Sequence, residues 1–135
     1  MNAVKGFHHI AIKATDFDKS VDFYKALGLV PKISWGEGDS RAVMMDMGDG
    51  ALIEIFAAGT KREATADTIN EHWLHLALKT DDVQGIYKTA ISAGATPRTE
   101  PITVAPENAS PAIRMEVAFV YGPDGEIIEF FNELK

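Results

Sequence analysis

Cysteine is absent from the 135-residue chain, which excludes disulfides, thiolate metal sites and cysteine nucleophiles, and fits a reducing compartment. Any metal must then be held by nitrogen and oxygen. An excess of basic residues is also missing: 13 Lys plus Arg stand against 20 Asp plus Glu, a formal charge of −7. A broad nucleic-acid surface needs a positive face, so no nucleic-acid partner is expected. A small anionic ligand is not forbidden, because local charge can oppose net charge. No apolar run approaches the roughly 18 residues of a membrane span, and none follows Met1-Asn2-Ala3-Val4-Lys5-Gly6. No membrane partner and no secretory signal are expected, and the cytoplasm is the expected location. Walker, Rossmann and zincin motifs are missing as well. What remains is a chain of 46% hydrophobic residues, one ordinary domain's worth.

The chain reads as two copies of one unit. His9-Ile10-Ala11-Ile12-Lys13 leads to Ala26-Leu27-Gly28, and His75-Leu76-Ala77-Leu78-Lys79 leads to Ser92-Ala93-Gly94. The endings match too: Asp49-Gly50-Ala51-Leu52-Ile53-Glu54-Ile55-Phe56 echoes Asp124-Gly125-Glu126-Ile127-Ile128-Glu129-Phe130-Phe131. The offset is 66 positions at the starts and 75 at the ends, so the second copy carries nine extra residues, expected between Pro97 and Pro111. Two copies are too few for a solenoid, which leaves a pseudo-two-fold pair.

Each copy reads as βαβββ. Phe7 to Lys13 alternates as a strand, with His9 and Ala11 on one face and Ile10 and Ile12 on the other. Asp16 or Asp18 caps a helix whose apolar stripe is Val21, Tyr24 and Leu27, and Gly28 ends it. Strands follow near Leu29 to Trp35, Ala42 to Met47 and Ala51 to Phe56, with turns between them at Gly36 to Asp39 and Gly48 to Gly50. The second copy repeats this with a strand over Leu74 to Lys79. Its helix starts at Asp81 or Asp82, is lined by Val83, Ile86, Tyr87 and Ala90, and stops at Gly94. Three strands complete it, near Thr96 to Thr99, Arg114 to Tyr121 and Glu126 to Phe131. Gly59 to Asn70 reads as polar linker, with a short helix around Glu63 to Ile69. Each helix covers one sheet face, so the other face needs a cover from the sister unit or a second chain.

Four residues fall on that other face. His9 and His75 hold equivalent places in the first strands, and Glu54 and Glu129 in the last. Carboxylates flanked by Ile53 and Ile55, or by Ile128 and Phe130, need a partner, because an unpaired buried charge costs several kcal/mol. Two imidazoles and two carboxylates around one divalent ion would meet that need.

These motifs resemble the vicinal oxygen chelate superfamily, which groups glyoxalases, bleomycin resistance proteins and extradiol dioxygenases. The resemblance runs over about residues 6 to 133. It is carried by the His9 strand with Asp16, Val21-Asp-Phe-Tyr-Lys-Ala-Leu-Gly28, Leu52-Ile-Glu-Ile55, His75-Leu-Ala-Leu78 and Gly122-Pro-Asp-Gly-Glu-Ile-Ile-Glu-Phe130. It implies an α+β fold of two tandem βαβββ modules forming a cupped sheet. The whole of 1–135 is then a single domain, with modules 6–58 and 73–133 joined by linker 59–72. It also implies one divalent metal ion per site, Ni2+ or Zn2+ first and Fe2+, Co2+ or Mn2+ next, on His9, Glu54, His75 and Glu129. The full His, Glu, His, Glu set matches that of glyoxalase I enzymes. The implied activity is a glyoxalase-like lyase or isomerase acting on a small hydroxycarbonyl or thiohemiacetal. A proton would be transferred through a metal-bound enediolate, with Glu129 or Glu54 as base. The alternatives are an extradiol-type dioxygenase, whose iron triad does not use the Glu54 position, and a metal-free antibiotic-binding protein. Glutathione-using relatives place arginine four residues after the first histidine, where this chain has Lys13, so a substrate without glutathione is expected. The resemblance further implies a homodimer whose sites are shared between chains.

Other residues have plainer readings. His8 points away from His9 or sits at the strand's edge, and His72 lies near the rim. Met44, Met45 and Met47 read as core and pocket wall. Trp35, Trp73, Phe56, Phe119 and Phe131 read as core or cavity lining. Lys13, Arg41 and Arg114 are candidate anion contacts.

Overall fold

The computed structural model describes residues 7–59 and 75–135. The expected linker helix around Glu63 to Ile69, together with His72, Trp73 and Leu74, lies outside the described residues. The chain divides into two compact units, residues 1–60 and 61–135.

In the first unit, β1 (His9–Lys13) is followed by α1 (Phe17–Ala26), β2 (Val30–Trp35), β3 (Ala42–Asp46) and β4 (Leu52–Phe56). The sheet order is β1-β4-β3-β2, with β1 parallel to β4 and the other pairs antiparallel. The second unit repeats this with β5 (Leu76–Lys79), α2 (Val83–Ser92), β6 (Thr96–Val104), β7 (Arg114–Tyr121) and β8 (Ile127–Leu134), in the order β5-β8-β7-β6. Each unit is thus a βαβββ module with a four-stranded mixed sheet and one flanking helix. Among the described residues, no helix is long and apolar enough to cross a membrane.

The helices start at equivalent carboxylates. Asp16 accepts from the Lys19 amide at 3.1 Å, and Asp82 from the Gly85 amide at 3.0 Å. Each side chain satisfies a backbone donor that a helix start leaves orphaned. Gly28 and Gly94 follow the helices at φ of 100° and 107°, left-handed values that side chains disfavour. On the helix side of the sheets the core is apolar, with Met45, Ile53 and Ile55 in one unit and Val120, Ile128 and Phe130 in the other, all fully buried.

The stripe expected on α1 needs correction. Its buried residues are Ser20, Phe23 and Tyr24, while Val21 is half-buried. The repeat explains how a serine fits. Ser20 and Tyr24 occupy the places of Ile86 and Ala90 on α2, so a small residue beside a large one in one unit becomes the reverse in the other.

Three strand ends also differ from expectation. β1 starts at His9 rather than Phe7, β6 runs on to Val104, and β8 runs on to Leu134. The nine extra residues of the second copy are shared evenly. β6 has nine residues against six in β2, the loop 105–113 has nine against six in 36–41, and β7 has eight against five in β3. Only part of the insertion therefore lies between Pro97 and Pro111. Prolines 97 and 101 are tolerated inside β6 because it is an edge strand, where a missing amide breaks no inner ladder.

Gly85 occupies the third position of α2, and a Cβ there would collide with the Asp82 carboxylate that caps the helix. Alanine in place of a mid-helix glycine normally stabilises by about 1 kcal/mol, and losing the cap costs about the same. Gly85→Ala should therefore leave the stability of wild type almost unchanged. The same substitution should stabilise the Asp82→Ala background by about 1 kcal/mol. A denaturant double-mutant cycle checks this, and equal gains in both backgrounds would refute the clash.

Candidate functional site

The register of each sheet decides which side chains share a face. In β1 and β4, Ala11 is level with Glu54 and His9 with Leu52. Side chains alternate along a strand, so His9 and Glu54 lie on one face, two residues apart along the ladder. The long carboxylate closes that gap: His9 Nε2 stands 3.3 Å from Glu54 Oε1. In β5 and β8, Ala77 is level with Glu129. His75, just ahead of β5, reaches Glu129 Oε1 at 3.0 Å through its own Nε2. The same two atoms meet in both units.

The burial of the two pairs also matches. The glutamate side chains are 10% and 13% exposed, and their histidines 37% and 35%. Behind Glu54 lie Ile53 and Ile55, and behind Glu129 lie Ile128 and Phe130, all fully buried on the helix side. The carboxylates are therefore anchored in rigid strands, with open imidazoles beside them. Among the described residues, no other ion pair reaches either carboxylate.

This donor set suits a cation. A neutral imidazole presents a lone pair or one N–H, and a carboxylate only accepts. An imidazole nitrogen and a carboxylate oxygen match the preferences of divalent first-row metals. Each unit offers two such donors, and among the described residues no group of three or more His, Asp or Glu is arranged to hold a metal ion.

The walls of the two pairs differ. Met44 stands opposite Glu54 on β3, and Phe119 opposite Glu129 on β7. The His75 ring meets Phe119 edge-on, with centroids 5.4 Å apart. Trp35 and Phe56 make an edge-to-face pair in the first unit. His8 lies just outside β1, so strand alternation does not govern it, and its Nδ1 sits 2.9 Å from His9 Nδ1. The expectation that it points away from His9 is overturned, and its place at the strand's edge holds.

The other candidates sort by face. Met45 is core. Lys13 ends β1 on the face of His9. Arg41 instead pairs with Asp18 at 3.1 Å and lies over the Phe17 ring, which ties it to the start of α1. Arg114 falls on the helix side of β7, because the β7–β8 register runs without a shift from Arg114 to Phe119 and Tyr121. An open cleft of about 600 Å³ between α1 and β2 is lined by Phe17, Val21, Pro31, Ser34 and Val43 among others, and neither His9 nor Glu54 is in its wall.

Sequence reasoning missed Arg98. It is the extra residue at a register shift, where Pro97 is level with Val120 and Thr99 with Phe119. Alternation assigns a bulged residue to no face, so no periodic signal could have found it. Its guanidinium carbon lies 5.7 Å from the Phe119 ring centroid and 5.9 Å from that of Tyr121.

Known proteins show the same design. The description of the Glyoxalase/Bleomycin resistance protein/Dioxygenase superfamily matches residues 6–130. The uncharacterised protein YwbC of Bacillus subtilis (strain 168) is 30% identical over 132 residues, spanning 95% of this chain and 98% of that one. Among solved structures, a glyoxalase/bleomycin resistance protein/dioxygenase from Alicyclobacillus acidocaldarius superposes with a TM-score of 0.68 at 18% identity, over 97% of this chain and 93% of that one. The fosfomycin resistance protein FosX from Listeria monocytogenes, solved with manganese(II) and a sulfate ion, gives 0.69 at 18% identity, over 95% and 92%. With its βαβββ order repeated and its match running almost end to end, the chain belongs to the glyoxalase/bleomycin resistance protein/dioxygenase superfamily.

Proposed function

We propose that the protein is a divalent-metal-dependent lyase or isomerase that moves a proton between neighbouring carbons of a small hydroxycarbonyl or thiohemiacetal. His9, Glu54, His75 and Glu129 would hold the ion. The observation that carries this reading is the same Nε2-to-Oε1 approach in both units, at 3.3 and 3.0 Å. The recurrence gives each unit one imidazole nitrogen and one carboxylate oxygen at equivalent positions, donors that suit a divalent ion. The manganese(II) in the Listeria fosfomycin resistance protein supports metal use on this fold. The retention of a carboxylate at position 54 favours a lyase or isomerase over an extradiol dioxygenase.

When bound, a divalent ion would polarise the substrate carbonyl and stabilise charge developing on its oxygen. The protein's own groups do the rest. Glu129, anchored in β8 and largely shielded from water, is the favoured base for the proton beside the carbonyl, and Glu54 returns it to the neighbouring carbon. His9 and His75 would turn the Nε2 that now meets each carboxylate into a nitrogen donor to the ion. Phe119 packs edge-on against the His75 ring and fixes its orientation. Lys13 shares the face of His9, and a single ammonium lacks the bidentate fork that suits a glycyl carboxylate, which supports a substrate other than glutathione.

Metal analysis of the purified protein should find one divalent ion per chain, nickel or zinc before iron, cobalt or manganese. His75→Ala should lower metal affinity by about 10-fold or more. Absence of stoichiometric metal, with ligand binding unaffected in His75→Ala, would sink the proposal, and iron with oxygen consumption would favour the dioxygenase.

Exchange of solvent deuterium into a hydroxycarbonyl substrate, read by NMR, reports the proton transfer itself. Glu129→Gln should slow it by roughly 10²–10⁴-fold with metal still bound. Full exchange in both Glu129→Gln and Glu54→Gln would remove the glutamates from the base role.

The sites are proposed to be shared between the chains of a homodimer. Light scattering should then give twice the 14.7 kDa chain mass, and a monomer with full metal content would contradict the sharing.

A further inference from the structure

Each unit carries a cation at the same irregularity of its edge strand. In β2, Pro31 is level with Met45 and Ile33 with Met44, which leaves Lys32 as the extra residue. In β6 the extra residue is Arg98. The two positions are equivalent in the repeat, and bulges re-aim side chains where a strand borders a site. Beyond that the units part. Glu54 faces Met44, with Asp46 two residues further along β3, whereas Glu129 faces Phe119, with Tyr121 two residues further along β7. The second unit alone has rings to hold its cation. The Arg98 guanidinium lies within 6 Å of both, and Phe119 also carries the His75 ring at 5.4 Å. One aromatic side chain thus links the exposed arginine to the His75–Glu129 pair.

We propose that Arg98 recognises an anionic group on the substrate, making this a site for small hydroxycarbonyls that carry a carboxylate or a phosphate. The assignment rests on the His75–Glu129 pair being part of the reactive site. A chain of net charge −7 repels anions at long range, so binding one requires a cation placed beside the reacting atoms. A guanidinium held against rings keeps its N–H donors in one plane, at little further cost in side-chain entropy. It has five donors, enough to serve a neighbouring group and a ligand together. Arg98 is a specificity residue: it binds the part of the substrate that does not react.

The test is calorimetric titration of the protein as purified with hydroxyacetone, hydroxypyruvate and dihydroxyacetone phosphate, which differ in their anionic group. Wild type should bind at least one anionic probe about 10- to 100-fold more tightly than hydroxyacetone. Whichever probe carries that margin identifies the anion as carboxylate or phosphate. Arg98→Gln should erase the margin while metal content and hydroxyacetone affinity stay unchanged. Arg98→Lys should restore part of it, and added salt should shrink it in wild type. The assignment is overturned if wild type binds the three probes alike or binds none. It is equally overturned if Arg98→Gln weakens all three together, the mark of a structural role, or if Lys79→Gln erases the margin instead. A protein without stoichiometric metal that still shows a margin erased by Arg98→Gln would defeat the proposed reaction and leave this assignment standing.

Discussion

A carboxylate in the middle of a strand, with its neighbours packed into an apolar core, must find a polar partner on the face that the core leaves open. Glu54 and Glu129 are both in that position, and everything at the two sites follows from it. Their backbones are fixed by parallel pairing to the first strand of each unit, and that pairing brings the histidine within reach. The helices then matter indirectly. By covering the opposite face they make the isoleucine and phenylalanine neighbours core residues, which locks the strands in register. A shift of one residue would turn both glutamates into the core and an isoleucine or phenylalanine onto each site.

The faces of β1, β4, β5 and β8 were legible in the sequence because period-two alternation is unbroken in all of them. His9 beside Glu54, and His75 beside Glu129, follow from counting. Three things were not legible, each for a physical reason. The buried stripe of α1 includes Ser20, a polar residue that stands one turn from the fully buried Tyr24, so an apolar pattern does not announce it. The strands of the second unit end later than their hydrophobic pattern does, since Asn132 and Glu133 pair with β7 through backbone groups alone. Arg98 sits where the alternation resets, so its reach toward Phe119 and Tyr121 depends on a backbone irregularity that composition does not announce.

The repeat makes the two halves controls for one another. What recurs is the cap, the left-handed glycine, the edge-strand bulge and the imidazole–carboxylate approach. What differs is the lining: methionine and aspartate in one unit, phenylalanine and tyrosine in the other. The shared features concern folding and the donor set, and the unshared ones concern what is bound. Recognition can thus be specialised in one half while the donors stay matched.

The even division of the nine extra residues has a consequence for how such a unit changes. Lengthening β6 and β7 by three residues each keeps the hairpin arms equal in length, and a second register shift between Thr99 and Ile102 takes up the one-residue slip in their pairing. Growth of this kind extends the sheet by about 10 Å at 3.3 Å per residue, starting beyond the rungs that hold Phe119 level with Glu129. The second unit therefore has an arm that can be lengthened, shortened or resurfaced like the free end of a ruler, while the marks that measure the site stay where they are.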